Sequence, residues 1–100
     1  MPQGLLKNDY HTHIKKPKSY VVIIHNDDYT TMDFVVDVLM KIFHKTQQEA
    51  VEIMNRVHNE GVGVVGVYTF DIAMTKKMET ETLANRSNFP LKITIDEASE

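Results

Sequence analysis

The sequence contains no cysteine among its 100 residues, and this absence excludes several kinds of chemistry at once. Without a thiol the chain can form no disulfide, supply no thiolate nucleophile and build no cysteine-based zinc site. No run approaches the roughly 18 apolar residues of a membrane helix, and the N-terminus lacks the apolar stretch of a signal peptide. We therefore expect a cytoplasmic protein with no membrane association.

The sequence also has no excess of positive charge: its formal net charge is -3. This balance argues against a nucleic-acid binder that depends on neutralising phosphates. The charge is unevenly distributed, since residues 1–18 carry a net +3 and the remaining 82 residues about -6. Few apolar side chains lie in residues 1–18, which are predicted to form a flexible N-terminal arm. Residues 19–100 are predicted to form a single core domain.

The hydrophobic pattern predicts three strands and three helices. In chain order these are a strand at 20–24, a helix at 31–43, a helix from the Thr46 cap to the Gly61 stop, a strand at 62–68, a helix at about 70–85 and a strand at 91–96. The first strand is an unbroken apolar run, which predicts burial of both its faces. A small sheet backed by helices accommodates this order, but the order and direction of strand pairing stay open at this point.

Helix caps are predicted from Thr residues that precede the periodic segments. Thr30, with Asp33 three residues later, fits a capping box for the first helix, and Thr46 with Glu49 fits one for the second. Thr69 is the predicted cap of the third helix, whose apolar stripe contains Met74 and Met78.

The most informative segment is Asn26-Asp27-Asp28, between a predicted buried strand and a predicted buried helix. In most proteins such residues form a turn, because Asn and Asp side chains bond to their own backbone. A functional interpretation depends on the side chains that helix periodicity brings near this turn. They are Met32 and Val35 on the following helix, and Met54, Val57 and His58 on one face of the second. Each also has an ordinary interpretation. The apolar residues could simply belong to the core, and His58 could interact with the dipole at the C-terminal end of its helix.

If the turn and that helix face meet, the site suits a protonated α-amino group that carries a large hydrophobic side chain. An ammonium has three donors and a charge, so it needs an amide oxygen, a carboxylate and a third acceptor. Asn26, either Asp27 or Asp28, and His58 supply these groups. Methionines form an adaptable apolar wall for varied side chains.

The segment from Asn26 to Val35 closely resembles the signature of the ClpS adaptors of the bacterial N-end rule pathway. The resemblance extends over residues 19–96 and includes Val57-His58, the Gly61 stop, the stretch 66–69 and Pro90-Leu91. It implies three antiparallel strands packed with three helices, in an adaptor that binds proteins beginning with Phe, Tyr, Trp or Leu. It implies neither a catalytic residue nor a metal or cofactor, and we expect a monomer.

The resemblance also implies residue roles. Asn26, Asp27 and His58 would hold the α-amino group. The residues that would line or support the hydrophobic pocket are Asp28, Thr30, Met32, Val35, Met54, Val57 and Leu91. Asp71 and Lys76 match the surface that docks on the N-terminal domain of the ClpA or ClpC unfoldase, which would engage the arm during delivery.

Three residues depart from the family pattern. Thr31 stands where Pro is expected, and His25 replaces an aliphatic residue at the edge of the pocket. Asp71 is one methylene shorter than the expected Glu. The change at Thr31 leaves an acceptable first helical residue.

A metal-dependent enzyme is one alternative function. Asp27, Asp28, His25 and His58 offer carboxylates and imidazoles, which bind several divalent ions. The two Asp residues lack the regular ligand loop that calcium requires.

An RNA-binding module is the second alternative, because small sheets backed by helices often bind RNA. The wet face of the last strand carries Lys92, Thr94 and Asp96, with no aromatic side chain on which a base could stack. This composition disfavours RNA binding.

Overall fold

The computed structural model describes residues 17–98, so the predicted arm lies outside the described residues except for its last two positions. The elements are β1 (Ser19–His25), α1 (Met32–Lys41), α2 (Gln47–Glu60), β2 (Val62–Thr69), α3 (Phe70–Arg86) and β3 (Lys92–Glu97). The predicted order of strands and helices is confirmed. Within residues 17–98, no helix combines the length and the apolar character needed to cross a membrane.

The three strands form one antiparallel sheet in the order β2-β1-β3, so the first strand in the chain is the central one. Ile24 pairs with Gly63 on one side and with Ile93 on the other. The register of β1 against β2 shifts between Val22 and Ile23, which leaves one extra residue on β2 as a bulge.

The hydrophobic core lies between one face of this sheet and the helices. Val22 and Ile24 are fully buried there, whereas Val21 and Ile23, which point to the other face, are only half-buried. The β2 partners of these two residues, Val67 and Val64, are 56% and 47% exposed. The prediction that both faces of β1 are covered was therefore wrong, because the described helices pack on one face only.

The N-cap of the first helix lies one residue later in the chain than predicted. Thr31 is the N-cap of α1, and its hydroxyl oxygen accepts a hydrogen bond from the Phe34 N–H at 3.1 Å. The predicted cap, Thr30, instead donates its hydroxyl to Asp27 at 2.7 Å. The second predicted capping box, between Thr46 and Glu49, is confirmed.

The third helix packs through small residues rather than through methionines. Thr69 holds the N-cap position of α3, but its side chain makes no cap hydrogen bond. The buried residues are Ala73, Thr80 and Ala84, whereas Met74 and Met78 of the predicted stripe are 37% and 58% exposed. Small side chains allow this helix to approach the sheet closely.

Candidate functional site

A cavity of about 440 Å³ opens between the loop after β1, the first turns of α1 and the last turns of α2. Its size lies in the range of small-molecule sites, about 300 to 1,000 Å³. The lining residues are Asn26, Asp27, Asp28, Tyr29, Thr30, Thr31, Met32, Val35, Met54, Val57 and His58. The structure thus brings Asn26 and His58, which are distant in sequence, to one cavity.

A backbone hydrogen bond explains why the loop and the second helix meet. The Asn26 N–H donates to the Gly61 carbonyl oxygen at 2.8 Å, which fixes the start of the loop to the end of α2. Gly61 ends that helix in the left-handed region, with φ of 91°, and donates its own N–H to the Val57 carbonyl at 2.9 Å. This conformation favours glycine because it has no Cβ. His58, in the last turn of α2, therefore lies beside the loop.

Asp27 organises the loop that forms the rim of the cavity. One carboxylate oxygen accepts from the N–H groups of Tyr29 and Thr30 at 2.8 and 2.7 Å, and the other accepts from the Thr30 hydroxyl at 2.7 Å. Partial burial raises the pKa of Asp27, but the bonds from Thr30 and Tyr29 together lower it below its ordinary value. Asp27 is therefore ionised at neutral pH and places a negative charge at the rim.

The apolar wall of the cavity becomes more buried with depth. Met32, at the start of α1, is 48% exposed, whereas Val35 and Val57 are 5% and 3% exposed and belong to the core. Met54 is half-buried between these extremes. A side chain that enters would thus pass two flexible thioethers and end against branched residues fixed by the core.

The deep wall is fixed from behind by a close helix–strand contact. Gly63 of β2 lies directly behind Val57, and a Cβ added at Gly63 would lie 2.7 Å from the Val57 Cγ2 atom. The same Cβ would lie 3.3 Å from the Ile53 carbonyl oxygen. Because no side chain fits at position 63, Val57 has no space there to withdraw from the cavity.

The polar groups of the cavity are acceptors or can serve as acceptors. Asn26 supplies an amide oxygen, Asp27 and Asp28 supply carboxylates, and His58 supplies an imidazole. Neither lysine nor arginine is among the residues that line this cavity. The rim therefore favours a cationic group, and the wall behind it favours an apolar one.

The lining differs from the predicted set at three positions. Leu91 does not line the cavity but is 7% exposed and belongs to the core cluster that includes Val35 and Val57. Tyr29 and Thr31 line the cavity although neither was predicted as a site residue. Their positions within the motif at 26–35 could have indicated them.

The two predicted docking residues lie at a different surface. Asp71 and Lys76 line a larger groove, of about 1,030 Å³, between the end of α1 and the outer face of α3. This groove and the acceptor-rimmed cavity share no lining residue. Asp71 is exposed, and Lys76 is half-buried.

The Lys76 ammonium makes contacts within the fold. It donates to the Ile42 carbonyl oxygen at 2.7 Å, at the C-terminal end of α1. It also lies 5.6 Å from the centre of the Phe43 ring and 5.9 Å from that of the Tyr68 ring. Lys76 therefore joins α3 to the end of α1, where a cation is favourable.

The structure does not assemble the metal site of the enzyme alternative. In the described part of the chain, no three His, Asp or Glu side chains cluster where they could hold one ion. The His25 Nε2 atom instead lies 2.8 Å from the Thr94 hydroxyl oxygen, across the β1–β3 pair. His25 is thus absent from the residues that line the cavity.

The sequence is similar to one family over most of its length. Residues 15–94 match the family described as ATP-dependent Clp protease adaptor protein ClpS. The ATP-dependent Clp protease adapter protein ClpS of Lawsonia intracellularis is 53% identical over 87 residues, which cover 87% of this chain and 80% of the relative. The protein of the same name from Clostridium acetobutylicum is 51% identical over 84 residues, which cover 84% of this chain and 83% of the relative.

A solved structure shares the fold as well. The structure of Agrobacterium tumefaciens ClpS2 bound to L-phenylalaninamide matches with a TM-score of 0.80 and 37% sequence identity. The match covers 83% of this chain and 100% of that one. The three helices and the antiparallel sheet described above are therefore those of that protein too.

Proposed function

Because this chain belongs to the ClpS family of ATP-dependent Clp protease adaptor proteins, we propose that it captures proteins beginning with Phe, Tyr, Trp or Leu and delivers them to the unfoldase of that protease. It is an adaptor and not an enzyme. The observation that carries the proposal is the single cavity that combines an acceptor-rich rim with a Met- and Val-lined wall. Neither the metal-dependent enzyme nor the RNA-binding module is favoured.

The rim is the proposed binding site for the α-amino group of the captured protein. In this proposal Asn26 and His58 accept hydrogen bonds from the ammonium directly, and Asp27 supplies the compensating charge. The bond from the Asn26 N–H to Gly61 supports this assignment, because it holds the amide and imidazole side chains beside one opening. The ionised Asp27 supports it because an ammonium needs a charged neighbour to offset lost hydration.

The wall is the proposed pocket for the first side chain. Met32, Val35, Met54 and Val57 would contact that side chain, while Asp28 and Thr30 complete the rim and Leu91 supports the wall. We further propose that Met32 excludes β-branched residues at the mouth. The ligand of the Agrobacterium relative fits this assignment, because L-phenylalaninamide combines an α-amino group with a benzyl side chain.

The expected affinity is moderate. Burial of an aromatic side chain of about 150 to 200 Å² contributes roughly 4 to 5 kcal/mol. Charge-assisted hydrogen bonds add about 1.5 to 3 kcal/mol each, and association costs several kcal/mol. The balance favours a dissociation constant in the micromolar range, at about -8 kcal/mol. Such reversible capture suits a protein that passes its cargo on.

Delivery requires a second surface, and we propose that Asp71 and Lys76 contribute to docking on the N-terminal domain of ClpA or ClpC. Their groove is separate from the capture cavity, so both partners could be bound at once. In the same proposal, residues 19–100 form the adaptor core, residues 1–18 form the arm that the unfoldase engages, and the protein acts as a monomer in the cytoplasm.

The test compares two peptides that differ only at the N-terminus. A fluorescent peptide beginning with Phe is titrated with the protein, and its Nα-acetylated twin is titrated in parallel by fluorescence anisotropy. Acetylation removes the charge and leaves one amide N–H in place of three donors, so we expect it to abolish binding. Equal affinity for the two peptides would rule out recognition of the α-amino group.

A further inference from the structure

Met32 is the more exposed of the two methionines that line the capture cavity. Its side chain is 48% exposed at the start of α1, whereas the second lining methionine, Met54, is half-buried. The sequence has no cysteine, so no thiol competes with the thioethers for an oxidant. Among residues 17–98, three other methionines are exposed but line no part of this cavity: Met40 at 38%, Met74 at 37% and Met78 at 58%.

We propose that Met32 is a reversible oxidation site through which hydroperoxides weaken substrate capture, an inference that rests on the proposed function of the cavity. A thioether sulfur attacks one oxygen of the hydroperoxide, and the O–O bond breaks. The sulfur is oxidised by two electrons to a sulfoxide, while the peroxide is reduced to water or an alcohol. Methionine sulfoxide reductases return the sulfoxide to the thioether: two thiols supply the electrons and become a disulfide, and the oxygen leaves as water.

The position of Met32 makes this oxidation consequential. The sulfoxide is polar and chiral, and it would stand at the entrance of a wall that is otherwise formed by Val35, Met54 and Val57. A bound side chain would bury the new oxygen against these apolar groups, and the carboxylates of Asp27 and Asp28, which line the same cavity, can only accept hydrogen bonds. Burial of one polar oxygen without a donor lowers affinity by about tenfold or more.

The exposed location also limits damage to the fold. Met32 is the first residue of α1, and the core positions of that helix are Val35, Val38 and Leu39. Oxidation at Met32 therefore leaves the packing between α1 and the sheet intact. The expected signature is loss of peptide affinity with little change in the thermal midpoint.

The experiment exposes the full chain to graded hydrogen peroxide and follows each methionine by peptide mass spectrometry. At each step the affinity for a peptide beginning with Phe is measured by anisotropy, and thermal unfolding is recorded. We expect affinity to fall about tenfold as Met32 is converted, and to recover after treatment with reductases for both sulfoxide epimers. Oxidation of Met78, which is more exposed but remote from the cavity, should precede the loss without causing it.

Two variants test whether oxidation of Met32, rather than of another methionine, causes the loss of peptide affinity. Met40→Leu removes an exposed thioether from the same helix outside the cavity and should still lose affinity on oxidation. Whatever peptide affinity Met32→Leu starts with, the ratio of its affinities before and after peroxide treatment should stay near one. Full conversion of Met32 without loss of affinity, or an equal loss in Met32→Leu, would overturn this inference alone. If the reduced protein binds the acetylated peptide as well as the free one, the proposed function fails and this inference fails with it.

Discussion

Replacement of Gly63 by Ala should disturb the capture cavity from behind. The new methyl carbon would lie 2.7 Å from Val57 Cγ2 and 3.3 Å from the Ile53 carbonyl oxygen. Val57 is β-branched, 3% exposed and held in a helix, so it cannot rotate away without losing its preferred rotamer. The clash must be relieved by separating β2 from α2 or by pushing Val57 into the cavity.

The expected loss of folding stability follows from overpacking between β2 and α2. Inserting a methylene-sized group into a well-packed core costs about 1 to 3 kcal/mol. Replacing Gly by Ala also lowers the conformational entropy of the unfolded chain, which offsets about 0.4 to 1 kcal/mol of that cost. We therefore expect a net loss of about 1 to 2 kcal/mol, which corresponds to a fall in thermal midpoint of roughly 5 to 10 °C for a domain of this size.

Binding should change together with stability. Because Val57 lines the deep part of the cavity, a peptide beginning with Phe should lose more affinity in Gly63→Ala than one beginning with the smaller Leu. Circular dichroism melts and anisotropy titrations with the two peptides measure both effects.

Gly66→Ala is the matched control on the same strand. The three atoms nearest its added carbon all belong to the Tyr68 side chain, with the hydroxyl oxygen at 2.8 Å, and Gly66 does not line the cavity. That ring is half-buried and can shift, so peptide affinity should stay near the wild-type value. An unchanged midpoint and unchanged affinity in Gly63→Ala would refute the idea that the β2–α2 contact fixes the wall.

Three further predictions concern polar contacts. His58→Ala should weaken capture by roughly tenfold or more while the thermal midpoint stays the same, because the side chain is exposed; a lower midpoint with normal binding would make it structural. Protonation of Asp27 should release the Tyr29 and Thr30 N–H groups. Because its folded pKa is lowered, its stabilising effect is complete at pH values above the ordinary pKa of 3.8 and is lost as pH falls through the lowered pKa. An NMR titration of those two amides would follow the loss. Lys76→Met should lower the free energy of unfolding by about 1 kcal/mol, because the hydrogen bond to the Ile42 carbonyl is lost. An unchanged thermal midpoint would show that Lys76 does not stabilise the fold and would leave docking as its proposed role.

Local features of the fold were largely predictable from the sequence. The capping box of Thr46 and Glu49 and the Gly61 stop were predicted correctly, because the groups that bond to one another there lie within four residues. The cap of α1 was misplaced by one residue because two neighbouring Thr residues compete for the role. Asp27 accepts the Thr30 hydroxyl, and Thr31 caps the helix.

The candidate site was predictable in composition but not in geometry. The segment at 26–35 held most of the acceptors and several of the wall residues, and helix spacing grouped His58 with Met54 and Val57. The family resemblance implied that these two sets of residues meet. Tyr29 and Thr31 were missed because their exposure depends on the path of the loop. Leu91 was predicted to line or support the pocket, and the fold places it in the core rather than on the cavity surface.

By itself the sequence determined the six elements and the chemical character of the loop, because periodicity, capping and turn formation are short-range properties of the chain. The tertiary structure decided which of these elements meet. The central position of β1, the bond from Asn26 to Gly61 and the contact of Lys76 with the end of α1 all join segments more than 30 residues apart. Such contacts depend on the antiparallel pairing of the strands and the packing of the helices against one face of the sheet. Only that packing turns a polar loop and a distant helix end into one cavity.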